Sequence, residues 1–133
     1  MKLFPMILAG LLLLTGCGRN TATGGADQPK AVYRQVSAAD AAALMESASD
    51  YILLDVRTQE EFDQSHIPGA ICLPNEFIAA DMPFPFAKDT ELLLYCRSGH
   101  RSAEAAEKLR DLGFSNVFDF GGILDWPYDI TTE

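Results

Sequence analysis

Residues 91–102, ELLLYCRSGHRS, constrain the fold of this chain more than any other stretch. Leu92, Leu93, Leu94 and Tyr95 form an apolar run too short for a helix, the pattern of a strand buried on both faces of a parallel sheet. Cys96 then stands at the carboxyl end of that strand. From Ser102 onward the period changes: Ala103, Ala106, Leu109 and Leu112 share one stripe, Glu104, Glu107, Lys108 and Asp111 lie between them, and Gly113 marks the stop, which predicts a helix. A strand–loop–helix junction is where open α/β sheets bind ligands, because the first amides of the helix lack internal partners and its dipole favours an anion. The anion here is either a ligand oxygen or the thiolate of Cys96.

A free thiol titrates near ~8.5, and helix N-termini or nearby guanidinium groups bring such a group to ~7 or below. The loop supplies both influences. Ser98 and Gly99 permit a tight curl, Gly99 through a positive φ that carries no Cβ penalty, so successive backbone N–H groups can converge on the sulfur. Arg97 and Arg101 add positive charge and forked donors that match an oxyanion. A cysteine that merely closes a strand is ordinarily inert; a cysteine followed by this combination reads as a nucleophile.

The loop Cys96-Arg97-Ser98-Gly99-His100-Arg101-Ser102 resembles the Cys-Arg-x-Gly-x-Arg-Ser active loop of the rhodanese-type sulfurtransferases. Leu53-Leu54-Asp55-Val56-Arg57, with Glu61-Phe62 and His66-Ile67-Pro68-Gly69-Ala70-Ile71, is similar to the amino-terminal signature of that family, and Gly121-Gly122-Ile123 with Trp126 to its carboxyl-terminal one. The likeness runs from about Tyr33 to Tyr128. It implies a three-layer α/β domain with a central, mainly parallel five-stranded sheet, helices on both faces and no cofactor. It makes Cys96 the catalytic nucleophile, places Arg97, Ser98, Gly99, His100, Arg101 and Ser102 around the substrate, and gives Asp55 and Arg57 a loop-bracing role. His66 reads as a further bracing, hydrogen-bonding residue, whereas His100 is the better functional candidate because it lies inside the loop.

Loop length narrows the chemistry. Four residues separate Cys96 from Arg101, a six-residue cradle. Related cell-cycle phosphatases and arsenate reductases on the same fold carry five, and that wider loop holds a tetrahedral oxyanion. The shorter ring suits a sulfur carried on sulfur. The expected reaction is transfer of sulfane sulfur from a small anionic donor such as thiosulfate to a thiol or cyanide, through a Cys96 persulfide. The alternatives are a non-catalytic module that binds a partner or presents a persulfide and, less favoured, a phosphatase or arsenate reductase.

Lys2, the mostly apolar residues 3–14 and Leu14-Thr15-Gly16-Cys17 resemble the leader and lipobox of a bacterial lipoprotein, and the run falls short of the ~20 residues of a spanning helix. The expected organisation is a signal peptide over 1–16, lipidation at Cys17, a Gly- and Thr-rich tether over 17–31 and one domain over 32–130. Such a protein would sit in the cell envelope, outside the cytoplasm, anchored to a membrane. A net charge of −9 disfavours nucleic acid as a partner and leaves the basic loop as the local place where a small anion is welcome. Two histidines and three scattered cysteines offer no zinc-ligand spacing.

Within the domain, the expected elements are an edge strand at 33–36, a helix opened by a Ser37/Asp40 capping box and running to about Ser47, and a buried strand at 51–54. A second capping box at Thr58/Glu61 opens another helix, and Pro68-Gly69 turns the chain into a strand at 70–73. Asn75 is expected to cap a short helix through Ala80. Residues 81–89 form an irregular segment in which Phe84 and Phe86 either line the pocket mouth or plug the core. A last strand at 116–120 leads to a short helix around Trp126. The family's sheet order implies a strand between Cys72 and Cys96, hence a separation of roughly 10 Å, beyond the ~7 Å limit for a disulfide.

Overall fold

The computed structural model describes residues 32–133; the expected signal peptide (1–16), the tether (17–31) and Cys17 lie outside the described residues. Strand β1 (Arg34–Gln35) is followed by helix α1 (Ala38–Ser47), strand β2 (Tyr51–Asp55), helix α2 (Gln59–Gln64), strand β3 (Ile71–Cys72), strand β4 (Glu91–Cys96), helix α3 (His100–Asp111) and strand β5 (Val117–Gly122). The strands form one five-stranded sheet of order β1-β5-β4-β2-β3, and every neighbouring pair is parallel.

The leucine run explains why β4 takes the centre. Its side chains alternate between two cores: Leu92, Leu94 and Cys96 join Ala105, Ala106 and Leu109 of α3 and Phe114 on one face. Leu93 and Tyr95 join Ala41 of α1 and Phe120 on the other, with Leu44 and Met45 against them. Both faces being apolar, the strand has no solvent side, and three layers follow. Phe84 and Phe86 pack on Phe114 with ring centroids 5.0 and 5.5 Å away, so the irregular segment plugs the α3-side core.

Helix ends follow their local chemistry. The Ser37 hydroxyl accepts the Asp40 N–H at 3.0 Å, and the Asp40 carboxylate accepts the Ser37 N–H at 3.4 Å. Thr58 and Glu61 exchange the same pair of bonds at 3.2 and 3.0 Å. Gly113, at φ +95°, stops α3 and lets Phe114 turn back to the carbonyl of Leu109.

Three expectations are corrected. Helix α3 begins at His100 rather than after Ser102, so its buried stripe is Ser102, Ala105, Ala106 and Leu109, and Ala103 and Leu112 are only half-buried. Asn75 opens no helix through Ala80: residues Asn75–Phe77 make one 3₁₀ turn with Pro74 at the cap position, and the Asn75 side chain donates to Glu104 and accepts from Lys108 of α3. The terminal helix is likewise a single 3₁₀ turn, Ile123–Asp125, ending before Trp126. Cys72 and Cys96 are both free, with β2 between their strands, and burial pushes the Cys72 thiol up to about 11.

Leu94 is fully buried at the centre of the sheet. Leu94→Ala is expected to destabilise the domain by about 2–5 kcal/mol, read as a lower urea midpoint with an unchanged slope.

Candidate active site

Cys96 ends the central strand and is 1% exposed. Its Sγ accepts the backbone N–H of Gly99 at 2.9 Å. Gly99 is the N-cap residue of α3, at φ +106° and with no side chain to cap the helix. The sulfur thus takes the place that a capping oxygen usually fills, at the positive end of the helix. Ser102, fully buried in the first turn, places its Oγ 3.6 Å from the sulfur and within 3.0 Å of the Gly99 carbonyl and 3.3 Å of the Gly121 carbonyl.

The end of β5 supports this loop from behind. Gly122 pairs with Cys96 across a break in the register, and a Cβ on Gly122 would lie 2.2 Å from the Arg97 carbonyl oxygen. Only glycine allows the two backbones to approach this closely. The Leu124 N–H then donates to the same Arg97 carbonyl at 3.2 Å. Gly121-Gly122 is recognisable in sequence as part of a signature; its steric role is not.

Two ion pairs brace the surroundings. Arg101 binds Glu61 through two hydrogen bonds of 2.7 and 2.9 Å, and those bonds hold the Glu61 carboxyl down at about 2. Glu61 also caps α2, so one carboxylate ties that helix to the active loop. Its motif position gave no sign of the second task. Asp55 accepts from Arg57 Nε at 2.9 and 3.1 Å and from Nη2 at 2.6 Å, and Arg57 reaches on to the Ser65 carbonyl at 2.6 Å. The Tyr95 hydroxyl donates to Asp55 at 2.7 Å and accepts the Ile67 N–H at 3.0 Å, and burial raises the value of this phenol. His66 stacks on Phe62 with centroids 3.7 Å apart, bonds the Phe62 carbonyl through Nδ1 at 2.8 Å, and exchanges two backbone bonds with Thr131.

The remaining loop side chains separate. Arg97 is exposed, and among the described residues no acid pairs with it. It lines a cleft of about 390 Å³ with Arg57, Glu61, Gln64, Ser65, Ile123 and Leu124. The His100 side chain is 83% exposed and lies 3.5 Å from Glu104 on the outer surface of α3, so membership of the loop does not bring its ring to the sulfur. Ser98 and Gly99 line a different cleft, of about 350 Å³, with Asp119. Among the described residues, no group of three or more His, Cys, Asp or Glu side chains is placed to hold a metal ion.

Comparison with known proteins agrees with this geometry. The profile of the Rhodanese-like domain matches residues 37–127. The chain belongs to the rhodanese-like family. It is 40% identical over 78 residues to a sulfurtransferase of Allochromatium vinosum, covering 58% of this chain and 72% of that protein. It is 36% identical over 76 residues to the thiosulfate sulfurtransferase PspE of Escherichia coli, covering 54% and 70%. A 35% match over 127 residues to the adenylyltransferase and sulfurtransferase UBA4 of Candida albicans takes in 90% of this chain but only 28% of that larger protein. A rhodanese-related protein of Thermoplasma volcanium superposes with a TM-score of 0.65 at 31% identity, covering 76% of this chain and all of the other.

In this rhodanese-like domain the Glu61–Arg101 pair makes a pH-dependent contribution. A carboxyl whose value falls on folding stabilises fully above its ordinary value of 4.5, and that stabilisation fades as pH drops toward about 2. The stability difference between wild type and Glu61→Gln, measured by urea unfolding, is expected to be largest above about pH 5 and to vanish near the folded value.

Proposed function

We propose that the chain moves sulfane sulfur from a small anionic donor such as thiosulfate to a thiol or cyanide acceptor through a persulfide on Cys96. The Cys96 thiolate attacks the outer sulfur of the donor, the donor's S–S bond breaks, and sulfite leaves with the electron pair. The acceptor then attacks the outer persulfide sulfur, and Cys96 returns as thiolate. The observation that carries this reading is the 2.9 Å N–H bond from Gly99 to the sulfur at the start of α3, in a loop with four residues between Cys96 and Arg101. Arg97, exposed at the edge of its cleft and without an acidic partner, draws in the donor anion. Arg101 holds the loop to Glu61 rather than reaching for a ligand. The name of the thiosulfate sulfurtransferase PspE supports the donor class.

Incubation of the protein with thiosulfate is expected to add one sulfur atom by intact-protein mass spectrometry, and cyanide to remove it. Cys96→Ser is expected to take up none while staying folded. An adduct of equal yield on that variant would sink the assignment of the nucleophile.

The leader-like residues 1–16 and the Cys17 that follows support a second part of the proposal, that Cys17 carries the lipid that holds the domain at a membrane outside the cytoplasm. Cys17→Ala is expected to move the protein from the membrane fraction to the soluble fraction of cells; retention at the membrane would refute the anchor.

A further inference from the structure

Two buried carboxylates lie close to the active loop, and their surroundings differ. Asp55 is matched by the Arg57 guanidinium and the Tyr95 hydroxyl. Asp119, on β5 and 3% exposed, receives one backbone N–H, from Gly121 at 2.9 Å, and the hydroxyl of Ser102. Among the described residues no cation forms an ion pair with it. Burial pushes its carboxyl upward against the opposing pull of those two bonds.

Proton counting at Ser102 gives this arrangement its meaning. The hydroxyl has one hydrogen, and around its oxygen stand the Gly99 carbonyl at 3.0 Å, the Gly121 carbonyl at 3.3 Å, the Cys96 sulfur at 3.6 Å and the Asp119 carboxylate. If Cys96 and Asp119 were both ionised, four acceptors would share that single hydrogen in a buried site. A second proton belongs there, on Cys96 or on Asp119, donated in either case to the Ser102 oxygen.

We propose that Asp119 is a positioning residue that takes the Cys96 proton through the Ser102 hydroxyl. The S–H bond breaks, Ser102 accepts that proton while passing its own to the carboxylate, and a thiolate and a neutral carboxylic acid result with no change in net charge. This proposal rests on Cys96 being the nucleophile. Asp119 also lines the cleft with Gln35, Ser98 and Gly99, which shares no residue with the cleft of Arg97. The proton therefore has a way to solvent apart from the donor's approach.

Other charges around the pair are accounted for. Toward Cys96 these are Arg101 of α3, bound to Glu61 of α2, Asp55 of β2, bound to Arg57, and the exposed Arg97 of the loop. Flanking Asp119, its register partners on β1 and β4 are the uncharged Gln35 and Leu94. From the far face of the sheet, α1 contributes Ala41, Leu44 and Met45.

The test is alkylation of the full chain by iodoacetamide as a function of pH, read by mass spectrometry on the peptide that contains Cys96. In wild type the rate is expected to rise in two steps, because two coupled protons set the thiolate fraction. Asp119→Asn keeps an oxygen for the Gly121 N–H and always donates to Ser102. Its rate is expected to rise in one step, displaced by about one pH unit to the acid side, a tenfold faster reaction on that shoulder. Ser102→Ala is expected to reduce wild type to one step as well. A folded Asp119→Asn whose profile superimposes on wild type overturns the proposal, as a purely structural Asp119 would give that result. If Asp119→Asn fails to fold, two steps persisting in Ser102→Ala overturn it. A two-step profile on a chain that takes up no sulfur counts against the sulfur-transfer reading and leaves the proton path in place.

Discussion

The bond from the Gly99 N–H to the Cys96 sulfur is the contact on which the rest of the site depends. It exists because Gly99 adopts φ +106°, a conformation that costs an L-residue roughly 1–2 kcal/mol and costs glycine almost nothing. With the chain reversed at Gly99, α3 starts directly under the sulfur, and its opening amides face the position where charge develops. The loop has little freedom to drift. Arg97 offers its carbonyl to Leu124, and the Cβ-less Gly122 lets β5 press against that same carbonyl. Backbone, rather than side chains, sets the shape of the cradle.

Charge around the cradle is divided between holding and attracting. Glu61 performs two tasks with one carboxylate, capping α2 and gripping Arg101, so a change in that helix is felt at the loop. Asp55, Arg57, Tyr95 and the Ser65 carbonyl link the central strand to the end of α2 in the same manner. Buried pairs of this kind contribute modest net stability, but breaking one leaves an uncompensated charge. Once both pairs are closed, Arg97 is the loop guanidinium without an acidic partner. On a chain of net charge −9 it forms a local basin for an anion.

How much of this was legible in the sequence depends on how local its cause is. The capping boxes at Ser37 and Thr58 use groups three residues apart, and the structure contains both. The leucine run of β4 needs only its own apolarity to declare a buried strand, and the loop after it carries its chemistry in consecutive residues. The failures come from distant partners. Asn75 looks like a cap, yet Glu104 and Lys108 of α3 claim its side chain. The start of α3 was placed too late because the glycine N-cap leaves no side-chain signal, and Ala105 was lost from the stripe as a result. Asp119 reads as one polar residue in a strand; its burial beneath Ser102 appears only when β5 and α3 are brought together.

The near-complete burial of the sulfur bears on how a site of this kind passes sulfur on. An anion removed from water is costly unless donors replace its hydration, and here the Gly99 N–H and the Ser102 hydroxyl stand in for that water. In the proposed persulfide the outer sulfur stands about 2.05 Å beyond Sγ. The inner sulfur can thus stay on its amide while the outer one extends away from it. An acceptor need touch only that outer atom, so a thiol too bulky to enter the cradle still completes the transfer. The thiolate left behind is already solvated by the loop and requires no rearrangement before the next donor arrives.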